Sequence, residues 1–304
     1  MAKAFLATAV AAAAIVCVSG CSSSPVVAPT PQPPVPGEAV EVEASAPAVL
    51  VGAGDIGRCG VPGAERTARL LDAIAGTVFA VGDIAYPSGS AEDFRNCYAP
   101  SWGRHVSRTR PVPGNHEYET AGATPFFSYF GANAGPPGLG YYSYDLNAWH
   151  VVALNSELDF RKGGRQDQWL RADLQTHPAR CTVAYFHRPR FSSGPHGNNT
   201  DVQDLWATLH EFGVEIVISG HDHLYERFAP MDAAGRFDPR GVRQFVVGTG
   251  GAPMVAISAI QPHSEAQGTD WGVLQLTLFG NSYSWQFIPA AGASFSDAGR
   301  STCH

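Results

Sequence analysis

Val78-Phe79-Ala80-Val81-Gly82-Asp83-Ile84-Ala85-Tyr86 decides the fold class: four apolar residues run into a glycine, and an aspartate and a tyrosine follow at once. A short apolar run bounded by glycine reads as a buried strand, so Asp83 belongs to the loop leaving that strand's end. The pattern recurs. Ala48-Val49-Leu50-Val51 leads to Gly54-Asp55-Ile56-Gly57, Thr182-Val183-Ala184-Tyr185-Phe186 ends on His187, and Val214-Glu215-Ile216-Val217-Ile218 leads to Gly220-His221-Asp222-His223. Gly114-Asn115-His116-Glu117 is a further polar cluster, and His196 stands between the last two histidine groups. Open α/β sheets place their sites at the carboxyl ends of strands.

Working outward, residues 64–75, 164–174 and 202–212 carry apolar positions at helical spacing, and Trp149-His150-Val151-Val152-Ala153-Leu154 reads as another strand. Residues 244–247 and the alternating stretch 272–288, turning at Gly280-Asn281, read as antiparallel strands. Residues 118–143, rich in Gly, Pro, Phe and Tyr, read as an ordered surface loop near the site. The expectation is an α/β domain over residues 48–304, a four-layer sandwich of two mixed β-sheets flanked by helices.

The first twenty residues read as a targeting segment: Lys3 supplies a positive charge, residues 4–18 are apolar, and Val18-Ser19-Gly20-Cys21 resembles the lipobox of bacterial lipoproteins. On that resemblance residues 1–20 are removed and Cys21 carries a lipid anchoring the protein to the cell membrane, outside the cytoplasm. An ordinary secretory signal is the alternative. An uncleaved span is disfavoured, because the apolar run is short of the ~20 residues a spanning helix needs. Residues 21–47, with Pro31-Gln32-Pro33-Pro34-Val35-Pro36 at the centre, read as an extended tether.

Without residues 1–20 only Lys3 is lost, leaving 19 basic against 27 acidic residues, a net charge of −8 with His neutral. That sign disfavours nucleic acid as the main partner. Outside the leader and Cys21 remain Cys59, Cys97, Cys181 and Cys303, an even number in a chain bound for an oxidising compartment. Three pairings are open. Cys59 with Cys97 is favoured because both follow neighbouring strands, and Cys181 with Cys303 because it would pin the C-terminus; four free thiols are the alternative.

Taken together, Gly54-Asp55-Ile56-Gly57, Gly82-Asp83-Ile84-Ala85-Tyr86, Gly114-Asn115-His116-Glu117, Tyr185-Phe186-His187 and Gly220-His221-Asp222-His223 resemble, in order, the motif set of calcineurin-like metallophosphoesterases. Gly57, where the broader superfamily usually has a histidine, and Tyr86 point to the purple acid phosphatase branch. The resemblance runs from about residue 48 to 289. It implies a pair of metal ions bridged by Asp83, with Asp55, Tyr86 and His223 completing one site and Asn115, His187 and His221 the other. A phenolate and two carboxylates suit Fe(III); neutral nitrogen and amide oxygen suit Zn, Mn or Fe(II).

Such a pair polarises a phosphoryl group and lowers the pKa of a bound water, so hydrolysis needs no protein nucleophile. The departing alkoxide needs a proton or a positive neighbour, and His116 and His196 are the candidates for that work. Glu117 and Asp222 read as groups that orient neighbours, and Tyr225-Glu226-Arg227 as a brace for the last loop. His105, His150, His177, His210, His263 and His304 show no partner pattern. The expected function is release of inorganic phosphate from small phosphomonoesters. The alternatives are a phosphodiesterase acting on nucleotides or lipid head groups, and a binding lipoprotein without turnover.

Overall fold

The computed structural model describes Met1 and residues 46–304. The leader, Cys21 and the proline-rich stretch fall outside the described residues.

Apolar runs become strands here because both of their faces are covered. β1 (Ala48–Ala53), β2 (Thr77–Val81) and β3 (Thr109–Val112) come first, followed by β4 (Tyr142–Leu146), β5 (Trp149–Ala153), β6 (Cys181–Tyr185), β7 (Ile216–Ser219), β8 (Tyr225–Phe228), β9 (Arg243–Val247) and β10 (Ser264–Gly268). The chain then returns with β11 (Gly272–Leu278), β12 (Ser282–Pro289) and β13 (Asp297–Thr302). One sheet has the order β13-β12-β11-β1-β2-β3 and the other β10-β8-β9-β7-β6-β5-β4. The first sheet runs parallel over β1-β2-β3 at one end and antiparallel over β11-β12-β13 at the other, whereas the second has a parallel centre, β5-β6-β7-β9, edged by antiparallel strands.

The two-residue period of a strand divides the second sheet's side chains between two cores. Val151, Val183, Ile216, Ile218 and Phe245 join a core with Val51, Val78 and Phe79 of the first sheet. Their neighbours Val152, Ala184, Val217 and Val246 join another with Leu170 and Leu174 of helix Arg165–Thr176 and Leu205 and Trp206 of helix Gln203–Glu211. Helix Gly63–Ala73 buries Ala64, Ala68 and Leu71 in the first core. Full burial of each large apolar side chain stabilises by roughly 1.5–3 kcal/mol, which is why continuous Val/Ile/Leu runs mark such strands. Two mixed sheets with helices outside are what the patterning predicts.

Both favoured disulfides are present, Cys59–Cys97 and Cys181–Cys303. The second spans 122 residues of sequence, and in the chain-entropy picture such a link restricts the unfolded chain by roughly 4–5 kcal/mol.

Three expectations need correction. Residues 244–247 lie in β9, which is antiparallel to β8 but parallel to β7, because the strand inserts between them and is buried throughout. Residues 118–143 are not merely a surface loop: Thr124–Phe130 is helical, with Pro125 in its first turn, and buries Phe126 and Phe130. Phe130 meets Phe94 and Tyr98 edge-on, so the aromatic content of this stretch is core. Finally, His150 has partners. Its Nδ1 lies 2.8 Å from Asp145 Oδ1 and its Nε2 2.8 Å from Asp173 Oδ2, clamping the β4–β5 hairpin to helix Arg165–Thr176, and the His177 ring stacks on it. His304 likewise pairs with Glu215 at 2.6 Å.

A ring with a carboxylate at each nitrogen is an imidazolium. Burial works against its charge, but Asp173 and then Asp145 outweigh burial and raise the His150 pKa above its ordinary value. A raised folded pKa contributes stability that is fully present below about pH 6.5 and is lost as pH rises through the folded value. His150→Gln is therefore expected to lower the melting temperature by several degrees at pH 5 and by less at pH 9, read by thermal denaturation of both proteins at both pH values. A gap independent of pH would mean that His150 acts by packing alone.

Candidate metal centre

Parallel strands deliver their following residues to one edge. Asp55, Asp83, His187 and His221 each stand two positions beyond their strand, after β1, β2, β6 and β7, and Asn115 stands three beyond β3. Three of these residues have left-handed backbone: Asp55 at φ 60°, Asp83 at φ 50° and His221 at φ 69°. Such conformations are uncommon outside glycine, and their gathering at one place marks a site that the fold holds under strain. Glycine clears the remaining space. A Cβ on Gly114 would lie 2.3 Å from Asp83 Oδ1 and 2.8 Å from the His187 ring.

All seven ligand candidates from the sequence come together, in two clusters. In the first, Tyr86 Oη lies 2.9 Å from Asp55 Oδ1, 3.2 Å from Asp83 Oδ2 and 3.1 Å from His223 Nε2. In the second, His187 Nε2 lies 3.2 Å from Asn115 Oδ1, 3.2 Å from His221 Nδ1 and 3.3 Å from Asp83 Oδ1. Asp83 thus turns one oxygen to each cluster. A phenol has one proton and cannot satisfy three neighbours, and two imidazole nitrogens facing each other share at most one. Donor sets so oversupplied with lone pairs fit cations, two of them, with Asp83 between.

The electrostatics say the same. Burial disfavours the Asp83 anion, yet the charges of His187 and His116 hold its carboxyl well below the usual range. His187 is pushed up to about 10 against burial by Asp83, and His223 up to about 9 against burial by Asp55. Protons here stand where positive charge is required, and metal binding releases such protons. His221 goes the other way, down to about 2, through burial and the charges of His187, His196 and Arg188, so its lone pair is free.

Backbone carbonyls aim two of the rings: His187 Nδ1 faces Val81 O at 3.0 Å and His223 Nδ1 faces Pro253 O at 2.7 Å, leaving each Nε2 toward its cluster. The two catalytic candidates lie beside the clusters. His116 Nε2 is 3.7 Å from Asp83 Oδ2, with its Nδ1 against Pro87 O. The His196 ring centre is 4.1 Å from that of His221, and its Nδ1 is 2.7 Å from Asp222 Oδ1. Asp222 also accepts from the Ser192 hydroxyl, and Glu226 accepts from the Ser193 amide at 2.7 Å, so both carboxylates secure the loop that carries His196. Glu117 accepts from the amides of Ile84 at 2.8 Å, Ala85 at 3.1 Å and Gly114 at 2.8 Å, joining two of the site loops.

Residues 49–225 match the family described as Calcineurin-like phosphoesterase. The chain belongs to that family. Purple acid phosphatase 21 of Arabidopsis thaliana is 30% identical over 225 residues, 66% of this chain and 49% of that protein. Purple acid phosphatase 23 of the same plant is 32% identical over 181 residues, 52% of this chain and 39% of that one. The chain spans about half the length, or less, of these curated relatives. The structure of purple acid phosphatase PPD1 from yellow lupin (Lupinus luteus) seeds shares the fold, with a TM-score of 0.71 at 20% identity over 85% of this chain and 54% of that one. In this calcineurin-like phosphoesterase the two clusters that share Asp83 offer room for two ions.

Cavities flank it on both sides. One of about 330 Å³ is lined by Arg58, Tyr86, Asn96 and the Cys59–Cys97 bridge, and one of about 360 Å³ by Arg188, His196, Asn198 and His221. A larger cavity, about 730 Å³, lies along β12 and β13 and is lined by none of the donors. Sequence reasoning missed Arg188 and its partner Glu157. Adjacency to His187 was the one available signal for Arg188; Glu157 had none.

Removing the Glu117 carboxylate strands three buried amides. Glu117→Ala is expected to cost ~3 kcal/mol or more in chemical denaturation and to lower metal content, since an unmade buried hydrogen bond costs about 1–3 kcal/mol. A loss below about 1 kcal/mol, on the same scale, with metal retained, would show that the loops hold together without it.

Proposed function

We propose that this chain is a dinuclear metallophosphoesterase that hydrolyses small phosphomonoesters and releases inorganic phosphate outside the cytoplasm. The observation that carries the reading is Asp83, whose two oxygens each face a separate cluster of three further donors. Asp55, Asp83, Tyr86 and His223 would hold one ion, Fe(III) by the hardness of its phenolate and carboxylates. Asp83, Asn115, His187 and His221 would hold the other, Zn, Mn or Fe(II). When bound, the pair supplies Lewis acidity toward the phosphoryl oxygens and toward a water.

The chain's own residues do the rest. Burial of Asp55, Asp83 and His187 keeps bulk water from competing for the donors. His116, its Nδ1 held by the Pro87 carbonyl, keeps Nε2 toward the Asp83 side of the centre. His196, its Nδ1 held by Asp222, presents Nε2 to the 360 Å³ cavity, where it can give a proton to a departing alkoxide. Asp222 fixes that ring's orientation rather than touching substrate.

The family resemblance supports hydrolysis of a phosphoester, and the small size of the cavities on either side favours a monoester. Parallel assays on nitrophenyl phosphate and bis(nitrophenyl) phosphate should favour the monoester by at least tenfold in kcat/KM; the reverse preference would make the chain a diesterase. Asp83→Asn should lose more metal than Asn115→Ala, and Tyr86→Phe should abolish a visible absorption band while leaving the fold intact. Retention of two metals per chain in Asp83→Asn would sink the bridging assignment.

Placement outside the cytoplasm rests on the lipobox-like segment and on two disulfides, which persist in oxidising compartments. Among the described residues no helix is long and apolar enough to cross a membrane. Cys21→Ser should therefore release the protein from membranes or leave an uncleaved precursor. Continued partitioning of a full-length Cys21→Ser chain after alkaline washing would favour an uncleaved helix instead.

A further inference from the structure

Arg188 follows His187 and lines the cavity that His196 and His221 also line, yet no step above uses it. Its Nε lies 2.9 Å from Glu157 Oε1 and its Nη2 3.0 Å from Glu157 Oε2, a two-point grip on a carboxylate side chain that is only 9% exposed. The grip is anchored further. The Arg188 amide donates to Ser156 Oγ at 3.1 Å, and the Glu157 amide donates to Asn155 Oδ1 at 3.0 Å. Asn155 in turn exchanges two hydrogen bonds with Gln166, its amide with Oε1 at 2.8 Å and its carbonyl with Nε2 at 2.9 Å.

A guanidinium has five N–H donors and Glu157 engages two nitrogens. Nη1 makes no protein hydrogen bond among the described residues, while Arg188 lines the 360 Å³ cavity beside His196 and His221. A planar fork gripped by a carboxylate, with donors left over on a side chain that lines a cavity, is an arrangement suited to phosphate or carboxylate. The rest of the wall is polar, with Asn198, Asn199 and Thr200, so the pocket has little to offer an apolar group.

We propose that this cavity is a second anion subsite and that Arg188 is the residue that selects substrates bearing a further phosphate or carboxylate on the part that leaves. This rests on the phosphoesterase reading and narrows its substrate class from simple alkyl phosphates to compounds such as diphosphates and bisphosphates. Arg58 carries the same charge on the opposite flank but, among the described residues, no carboxylate holds it; it lies over the Tyr86 ring at 5.9 Å. Asp201 stands exposed at the rim of the Arg188 cavity, where solvent screens it.

The test compares glycerol phosphate with a nucleoside diphosphate on metal-loaded protein. Arg188→Gln would leave the Glu157 anion unpaired, so the double variant Arg188→Gln/Glu157→Gln, which removes both charges together, is measured beside it. Both should lose at least tenfold more kcat/KM on the diphosphate than on glycerol phosphate, mainly through KM. Equal losses on the two substrates, or no loss on either, would overturn the proposal. Arg58→Gln makes the same charge change on the other side; an equal preferential loss there would assign the effect to net charge and overturn it too.

Calorimetry with methylenediphosphonate, whose P–C–P link is not hydrolysed, and orthophosphate gives a reading independent of turnover. The wild-type chain should bind methylenediphosphonate at least tenfold more tightly than orthophosphate, and the double variant should lose that preference. A wild-type chain that hydrolyses no phosphoester yet shows this preference would sink the enzymatic reading and keep the subsite. A wild-type chain that hydrolyses monoesters without the preference would do the opposite.

Discussion

Everything at this end of the molecule depends on one carboxylate shared between two half-sites. Asp55, Asp83, Tyr86 and Asn115 come from loops of the first sheet, whereas His187, His221 and His223 come from the second. Asp83 reaches Tyr86 with one oxygen and His187 with the other. Backbone bonds reinforce the seam: the His221 amide donates to Asp55 Oδ2 at 2.8 Å, and the Gly54 amide to Val247 O at 2.8 Å. The buried Asp55 and Asp83 on one side and the charged His187 and His223 on the other attract across the sandwich. That attraction is strong only if the charges match, because an unpaired buried charge costs several kcal/mol.

The same demand explains the local backbone. For carboxylates and imidazoles to turn toward a common centre just beyond parallel strands, the chain must bend sharply straight after leaving the sheet. Asp55, Asp83 and His221 do so with left-handed φ, each at a cost of the order of 1–2 kcal/mol. Gly82, Gly114 and Gly220 keep side-chain atoms out of the space the donors occupy. A site of this kind tolerates strain because two sheets and a disulfide beside Tyr86 over-determine its position.

What was legible in the sequence was whatever is written locally. Apolar runs ending in Gly-Asp, Gly-Asn-His or Gly-His-x-His carry both the strand and its cargo, so the two sheets and the seven converging donors could be read together. Long-range pairing left less trace. The direction of β9 depends on which strands it falls between, and nothing within residues 243–247 encodes a parallel neighbour on one side and an antiparallel one on the other. The aromatic residues of 118–143 look alike in a loop and in a helix that packs on Phe94 and Tyr98. His150 meets Asp145 five residues away, visible in principle, but Asp173 lies twenty-three away on another element.

Arg188 and Glu157 show where function escapes a motif-based reading. The donors of the centre are specified by the chemistry of two cations and so recur as fixed patterns, while the walls around the centre are specified by what must be admitted. Those walls come from loops of unrelated length: residues 188–201 on one flank, and Arg58 with Asn96 on the other. A pair of cations held there would polarise a phosphoryl group whatever is attached to it. Discrimination among substrates must therefore come from side chains outside the donor set, and of these Arg188 is the one whose charge is both fixed by the Glu157 carboxylate and open to the cavity beside His221. A guanidinium pre-oriented in this way loses little freedom on binding, so its contribution appears as selectivity between substrates rather than as a uniform gain for all of them.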